Sequence, residues 1–334
     1  MKIIIHGAGS IGCYLGGQLQ QGGADVTFLG RARFQDQIAA HGLRLTHFER
    51  EAIHLPGSAV NFTTDPAELA GSEMIALCVK SQDTATAVAQ IAKHARPDVT
   101  IVSFQNGIRN PETLRDALPD ATIIPAIVPF NVTPTGPGAF HCGTAGKLVM
   151  EKVAKAVDLS RMFESAGQGV HLSENILGDQ WAKMIVNLNN GLNALSGGTL
   201  KAGLMQRDYR RALAACVSEA LDVAAAAGVA VGTFNGRAPE ALVKTLRLPN
   251  WAYKLVMQLI VKIDAQARSS MLDDLEAGRV SEVNYLQGEI VLQAEQAGVT
   301  APHNAAILNA VKAAFRHEAS PNLSGSELLG LLSK

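Results

Sequence analysis

The sequence predicts an α/β protein, a parallel-sheet domain over residues 1–172 followed by an all-α domain over 173–334. Three observations carry this. A short apolar strand at Lys2–His6 runs directly into a glycine-rich turn, and a second strand, Asp25–Leu29, follows at strand-helix-strand distance. Further apolar strands recur at 74–79 and 100–104, with strand-like stretches at 121–132 and 139–150. From about Ser173 the apolar period turns helical and stays so, with no Gly/Ser/Pro-rich linker at the change.

Composition narrows the function classes. The chain has 334 residues, 47% of them hydrophobic and 18% charged, with a formal net charge of −1, so it carries no basic footprint for nucleic acid or an anionic membrane. Cys13, Cys78, Cys142 and Cys216 lie far apart without metal-ligand spacing and read as reduced core thiols. The histidines are scattered as well, so no metal site is expected. No targeting segment is read at the amino terminus, and no apolar run approaches the roughly 20 residues of a membrane span, so a cytoplasmic protein is expected.

Gly7-Ala8-Gly9-Ser10-Ile11-Gly12 follows the first strand and opens a helix through Leu19 or Gln21. In that context glycines allow a tight turn and close approach of a pyrophosphate, which helix-terminal N–H groups and the macrodipole then stabilise. The first domain is therefore read as a Rossmann-type dinucleotide-binding domain. An NAD site places an acid at the end of the second strand to accept from the ribose 2′-hydroxyl. Here Leu29-Gly30-Arg31-Ala32-Arg33 offers two cations instead, so NADP is inferred, with Arg31 the first candidate for the 2′-phosphate and Arg33 the second.

Residues 43–55 read as a hairpin-like insertion. Lys80 and Ser81 stand at the carboxyl end of one strand and Gln105-Asn106-Gly107 at that of another, where an open parallel sheet binds its ligand. Lys80 is expected over cofactor phosphates or ribose, and Asn106 near the nicotinamide or the substrate; Asn106-Gly107 also reads as an ordinary turn. The turn-rich Thr133-Pro134-Thr135-Gly136-Pro137-Gly138 separates the next two strand-like stretches, and a helix at 152–166 and a short strand near Val170 complete the domain.

The second domain opens on a helix over 181–195. Trp181, Met184, Leu188, Leu192 and Leu195 form its apolar stripe, while Lys183, Asn187 and Asn190 share the opposite side. A solvated face usually carries several charges; a row of amides with one ammonium reads either as a wall of a polar cleft or as a surface with a chance asparagine cluster. Further helices are expected at 204–227, ended by Gly228, and at 239–246, 251–265 and 303–317. Ser270-Met271-Leu272-Asp273 has capping-box form, placing Ser270 at a helix start whose N–H groups suit a substrate carboxylate. Ser281-Glu282 opens another helix, which buries Val283, Leu286, Ile290 and Ala297.

Taken together, the glycine loop, Val79-Lys80, Gln105-Asn106-Gly107, Trp181-x-Lys183 with Asn187, Ser269-Ser270-Met271-Leu272-x-Asp274 and Ser281-Glu282-Val283-Asn284 resemble, in order and spacing, the ketopantoate reductase family. The resemblance covers nearly the whole chain. It implies NADPH-dependent reduction of 2-dehydropantoate to pantoate, with Lys183 as general acid, Glu282 and Ser270 holding substrate, Asn106 and Asn187 lining the site, and Arg31 and Lys80 contacting cofactor. A small-molecule 2-oxo acid and a second copy of the chain, as a homodimer, are the partners expected.

Where the family pattern often has a second asparagine one helical turn beyond Asn187, this chain has Gly191, flanked by Asn190 and Asn193. Asn190 is the better substitute by helix angle. The stretch Phe140-His141-Cys142-Gly143 also matches only loosely, which leaves a different branched 2-oxo acid as an alternative substrate. A non-catalytic NADP-sensing protein is a further alternative, although a sensor needs neither Lys183 nor Glu282. Chemically, hydride arriving at a ketone carbon leaves charge on oxygen, which an ammonium stabilises and protonates. Desolvation lowers the pKa of Lys183 while Glu282 or a substrate anion raises it, so its direction stays open at this level.

Overall fold

A computed structural model describes residues 1–260 and 267–333, and the chain divides into two compact units, Met1–Ile176 and Leu177–Lys334. The first unit contains strands β1 (Lys2–His6), β2 (Asp25–Leu29), β3 (Leu43–His47), β4 (Ile53–Leu55), β5 (Asn61–Thr63), β6 (Met74–Leu77), β7 (Thr100–Ser103), β8 (Thr122–Ile127), β9 (Val132–Gly136), β10 (Ala139–Cys142), β11 (Leu148–Glu151) and β12 (Val170–Ser173). Its helices are α1 (Ser10–Gln21), α2 (Ala32–His41), α3 (Thr84–His94), α4 (Asn110–Ala117) and α5 (Ala154–Ser165).

The main sheet has the order β5-β2-β1-β6-β7-β8-β11-β12. Neighbours from β5 to β8 are parallel, β11 runs against β8, and β12 runs with β11. Both faces are covered, which is why the strands are apolar without alternation. Ile3 and Ile5 pack into one core with Tyr14, Phe28 and Phe163, whereas Ile4 belongs to a second core with Ile75, Ile91, Ile101 and Leu114. Strand order reverses between β1 and β6, and such a switch point is where an open α/β sheet binds ligand.

The insertion at 43–55 is a hairpin, with β3 antiparallel to β4. Its other edge is paired to β10, in a separate sheet of order β4-β3-β10-β9. The segment 133–138, expected as a turn, is mostly extended: Val132–Gly136 forms β9 and the chain reverses around Gly138, at φ 64°. Pro134 is tolerated because β9 is an edge strand, with one side free of ladder bonds.

The second unit is built of helices: α6 (Ile176–Asn187), α7 (Asn189–Ser196), α8 (Leu200–Met205), α9 (Arg207–Ala226), α10 (Pro239–Leu246), α11 (Asn250–Ile260), α12 (Ser270–Glu276), α13 (Gln287–Gln296), α14 (Pro302–Arg316) and α15 (Gly325–Leu331). The helix expected over 204–227 is divided at Gln206, whose extended backbone separates α8 from α9. Of the helix expected over 251–265, residues 261–265 lie outside the described residues.

Two buried charged groups organise this unit. Arg210 on α9 is fully buried and donates to the carbonyls of Leu204, Leu246 and Leu248 and to Asn250 Oδ1, at 2.8 to 3.2 Å, while its guanidinium lies 4.1 Å from the Tyr253 ring centroid. The planar fork thus satisfies three carbonyls from two chain segments with one side chain. Glu219 accepts from the backbone N–H of His303 and Asn304, both at 2.8 Å, and so caps the start of α14.

Candidate active site

In the first unit the glycine loop joins β1 to α1. Gly7 has φ 103°, a region open to glycine, and a Cβ there would stand 2.6 Å from Val79 N. A Cβ on Gly12 would strike the Gly7 carbonyl, so the third glycine lets the helix start sit against the loop. Gly9 is different. Its Cβ would meet nothing within 4 Å, and α1 begins there without a side-chain cap. A tight turn, a close helix and an open, uncapped amide end make a fitting cradle for a pyrophosphate.

Past β2, Gly30 packs over Ala8, and Arg31 occupies the N-cap position of α2. Arg31 and Arg33 are exposed, and their guanidinium carbons lie 5.6 Å and 4.7 Å from the centroid of the Phe34 ring. Both therefore share one aromatic platform close to the end of β2.

The carboxyl ends of β6 and β7 are tied together by Ser81 and Gln105 with two side chains that sequence reasoning overlooked, Thr84 and Asn110. Asn110, nearly fully buried, donates to Ser81 Oγ at 2.9 Å and to the Asn106 carbonyl at 2.7 Å, and accepts from Thr84 Oγ1 at 3.1 Å. Gln105 donates to Thr84 Oγ1 at 2.8 Å and to the Val79 carbonyl at 3.2 Å. Ser81 Oγ donates to the Asn106 carbonyl as well. This network fixes the turns that bear Lys80 and Asn106, both half-buried. Asn110 precedes a proline at a helix start, so its sequence context signals only turn chemistry.

In the second unit the expected apolar stripe is buried: Trp181, Met184, Leu188, Leu192 and Leu195 are each at most 2% exposed. The single helix expected over 181–195 is instead broken at Leu188, between α6 and α7. Lys183, Asn187 and Asn190 are half-buried. Removal of water lowers the Lys183 ammonium from its usual value to about 8, and the Glu282 carboxylate opposes that shift. Glu282 itself lies at the start of a tight turn, Val283–Tyr285, and α13 begins only at Gln287 because the backbone departs from helical geometry at Leu286. Ala294, and not the expected Ala297, is the buried alanine of that helix, because the helix ends at Gln296 and Ala297 is its cap.

Ser270 is the first residue of α12 and is exposed, whereas the cap is its buried neighbour Ser269, whose Oγ accepts from Leu272 N. The cap is thus one residue earlier than expected, and with Leu272 at the third helical position it is a single bond and not a capping box. Asn193 is committed inside the protein: its Oδ1 accepts from Ser269 N at 3.0 Å and its Nδ2 donates to the Gly198 carbonyl at 2.9 Å. Asn190 remains the half-buried asparagine beside Gly191. Asp274, nearly buried, pairs with Arg279 at 2.7 Å and braces the turn after α12.

Comparison with known proteins matches these regions in order. The family model described as ketopantoate reductase PanE/ApbA covers residues 3–155, and the one for the C-terminal part of ketopantoate reductase PanE/ApbA covers residues 175–315. The chain belongs to the ketopantoate reductase family. A 2-dehydropantoate 2-reductase of Halobacterium salinarum is 26% identical over 324 residues, covering 95% of this chain and 99% of the relative. The crystal structure of a PanE/ApbA family ketopantoate reductase from Ralstonia eutropha superposes with a TM-score of 0.82 at 27% identity, covering 95% of this chain and 99% of that one. A D-mandelate dehydrogenase solved with NADH and anilino(oxo)acetate shares the fold, with a TM-score of 0.78 at 21% identity, covering 95% and 99% of the two chains. The curated relative and the solved family member are both named as reductases, so the family is one of oxidoreductases.

Proposed function

We propose that this ketopantoate reductase family member reduces 2-dehydropantoate to pantoate with NADPH. The observation that supports it most is the half-buried Lys183 ammonium, brought to about 8 by desolvation and acted on by Glu282. Such an amine is still protonated at neutral pH, yet gives up its proton more readily than an ordinary lysine.

A nicotinamide dinucleotide held by the glycine loop would supply the hydride that a ketone carbon needs. Lys183 hydrogen-bonds the ketone oxygen, stabilises the charge that develops there and then protonates it. Glu282 accepts from the substrate hydroxyl and steadies the ammonium. Asn187, Asn190 and Ser270 serve the carboxylate and hydroxyl of the substrate. Asn106 serves the nicotinamide or the substrate. Gly7, Ala8, Gly9, Ser10, Ile11 and Gly12 hold the pyrophosphate, Arg31 and then Arg33 meet the 2′-phosphate, and Lys80 meets phosphate or ribose.

A different branched 2-oxo acid is the second reading, favoured by Gly191, which leaves the helix without an amide one turn beyond Asn187. Oxidation of NADPH and NADH by the purified protein, measured against a panel of 2-oxo acids including 2-dehydropantoate, separates the readings. Turnover fastest with 2-dehydropantoate and NADPH is expected. Faster turnover of another 2-oxo acid moves the assignment to that acid, and tight NADPH binding without turnover on any of them overturns the enzymatic reading.

A further inference from the structure

The break at Leu188 is held by a residue from another segment. Leu188 N donates to the Ile185 carbonyl at 3.2 Å, a tightened turn, and the Leu188 carbonyl accepts from Gln287 Nε2 at 2.7 Å. A break in a helix ladder frees carbonyls that need a donor, and here an amide side chain supplies it. Gln287 is fully buried and lies five residues beyond Glu282. A tight turn lies between the two, in which Tyr285 N donates to the Glu282 carbonyl at 2.9 Å and Leu286 N to that of Val283 at 3.2 Å.

Gly191 completes the arrangement. A Cβ at that position would stand 2.7 Å from Gln287 Nε2 and 3.0 Å from its Cδ, so only glycine leaves room for the amide. Gln287 Oε1, buried, has no hydrogen-bond partner among the described residues. An orphaned acceptor is costly, and a side chain needed for packing alone would be better as leucine or methionine. The amide is kept for its donor.

We propose that Gln287 is a positioning residue that fixes the segment bearing Glu282 to the bend in the helix bearing Lys183 and Asn187, with Gly191 as the space that admits its amide. The proposal deepens the reductase reading and rests on it for the kinetic measurements below.

The test uses Gln287→Leu, Gly191→Ala and the double variant of the full chain. Gly191→Ala keeps the proposal falsifiable if Gln287→Leu fails to fold, because alanine favours helix and displaces only a flexible side-chain end. Three quantities are read: the titration of Lys183, from the pH dependence of amine acylation resolved by peptide; kcat against pH; and NADPH affinity. Each single variant is expected to lower kcat about ten- to a hundredfold through misplacement. Lys183 should titrate about half a unit lower as Glu282 withdraws. NADPH affinity should not change. The double variant should be no worse than the weaker single variant, since both remove one contact. A Lys183 titration unmoved in the folded variants, or losses that multiply, would overturn the proposal. If the unaltered protein turned over no 2-oxo acid, the reductase reading would fail, and the acylation measurement would still decide the role of Gln287.

Discussion

Replacing Lys183 by methionine removes the charge and keeps the length of the side chain, which makes it a probe of both stability and chemistry. The ammonium is lowered from 10.5 to about 8. At about 1.4 kcal/mol per unit this corresponds to an upper bound of about 3.5 kcal/mol for keeping the charge in the folded protein. Lys183 is only half-buried, and its loss leaves Glu282 without that cation, so a gain of about 1 to 2 kcal/mol is expected for Lys183→Met. The sign follows from proton binding. Between about pH 8 and 10.5 the unfolded chain holds more protons on this group than the folded one, so the stability of the unaltered protein rises with pH across that window. The destabilisation is fully present below pH 8 and gone above 10.5. Urea unfolding of both proteins at neutral pH and at the alkaline end of the window is the assay. The advantage of Lys183→Met should be clear at neutral pH and shrink toward zero at the alkaline end. In the same preparation turnover should fall by about 10² to 10⁴ while NADPH still binds. A variant less stable at neutral pH, by an amount that does not vary with pH, would refute the desolvation argument; near-normal turnover would refute Lys183 as the acid.

Glu282→Gln removes the group that raises the Lys183 pKa, so the alkaline limb of kcat, expected near 8 in the unaltered enzyme, should move down by about one unit; a limb that stays or rises contradicts the coupling. Arg31→Ala should weaken NADPH binding by about 1.5 to 3 kcal/mol and leave NADH binding nearly unchanged, as fluorescence titration would report. Equal losses for both nucleotides would remove the 2′-phosphate assignment. Gly9→Ala adds a methyl that meets nothing within 4 Å, so the unfolding midpoint should hold while NADPH affinity drops about tenfold or more. Unimpaired binding in that variant would show that the pyrophosphate does not approach Gly9.

Much of the site was legible in the chain because its signals are local. A strand running into Gly7-Ala8-Gly9-Ser10-Ile11-Gly12 is a contiguous pattern whose geometry is set by backbone sterics, and β1, α1 and β2 have the bounds that pattern requires. The stripe from Trp181 to Leu195 was likewise readable, since helical period alone decides which side chains are buried. The break at Leu188 was not. The Leu188 carbonyl bonds Gln287, which is distant in sequence, and no propensity at Leu188 announces the break. The cap at Ser269 was missed by one residue for a related reason: two adjacent serines are locally equivalent, and the bond from Ser269 N to Asn193 Oδ1 distinguishes them.

By itself, the sequence determined the class of fold and the glycine turn that joins the first strand to the first helix, because each rests on residue type and short spacing. Tertiary structure alone decided the second sheet, in which β3 pairs with β10, the buried bracing of Lys80 and Asn106 by Asn110, and the downward shift of Lys183. Those depend on which distant groups exclude water or share a hydrogen bond, and hydration and long-range pairing exist only once the chain has closed on itself.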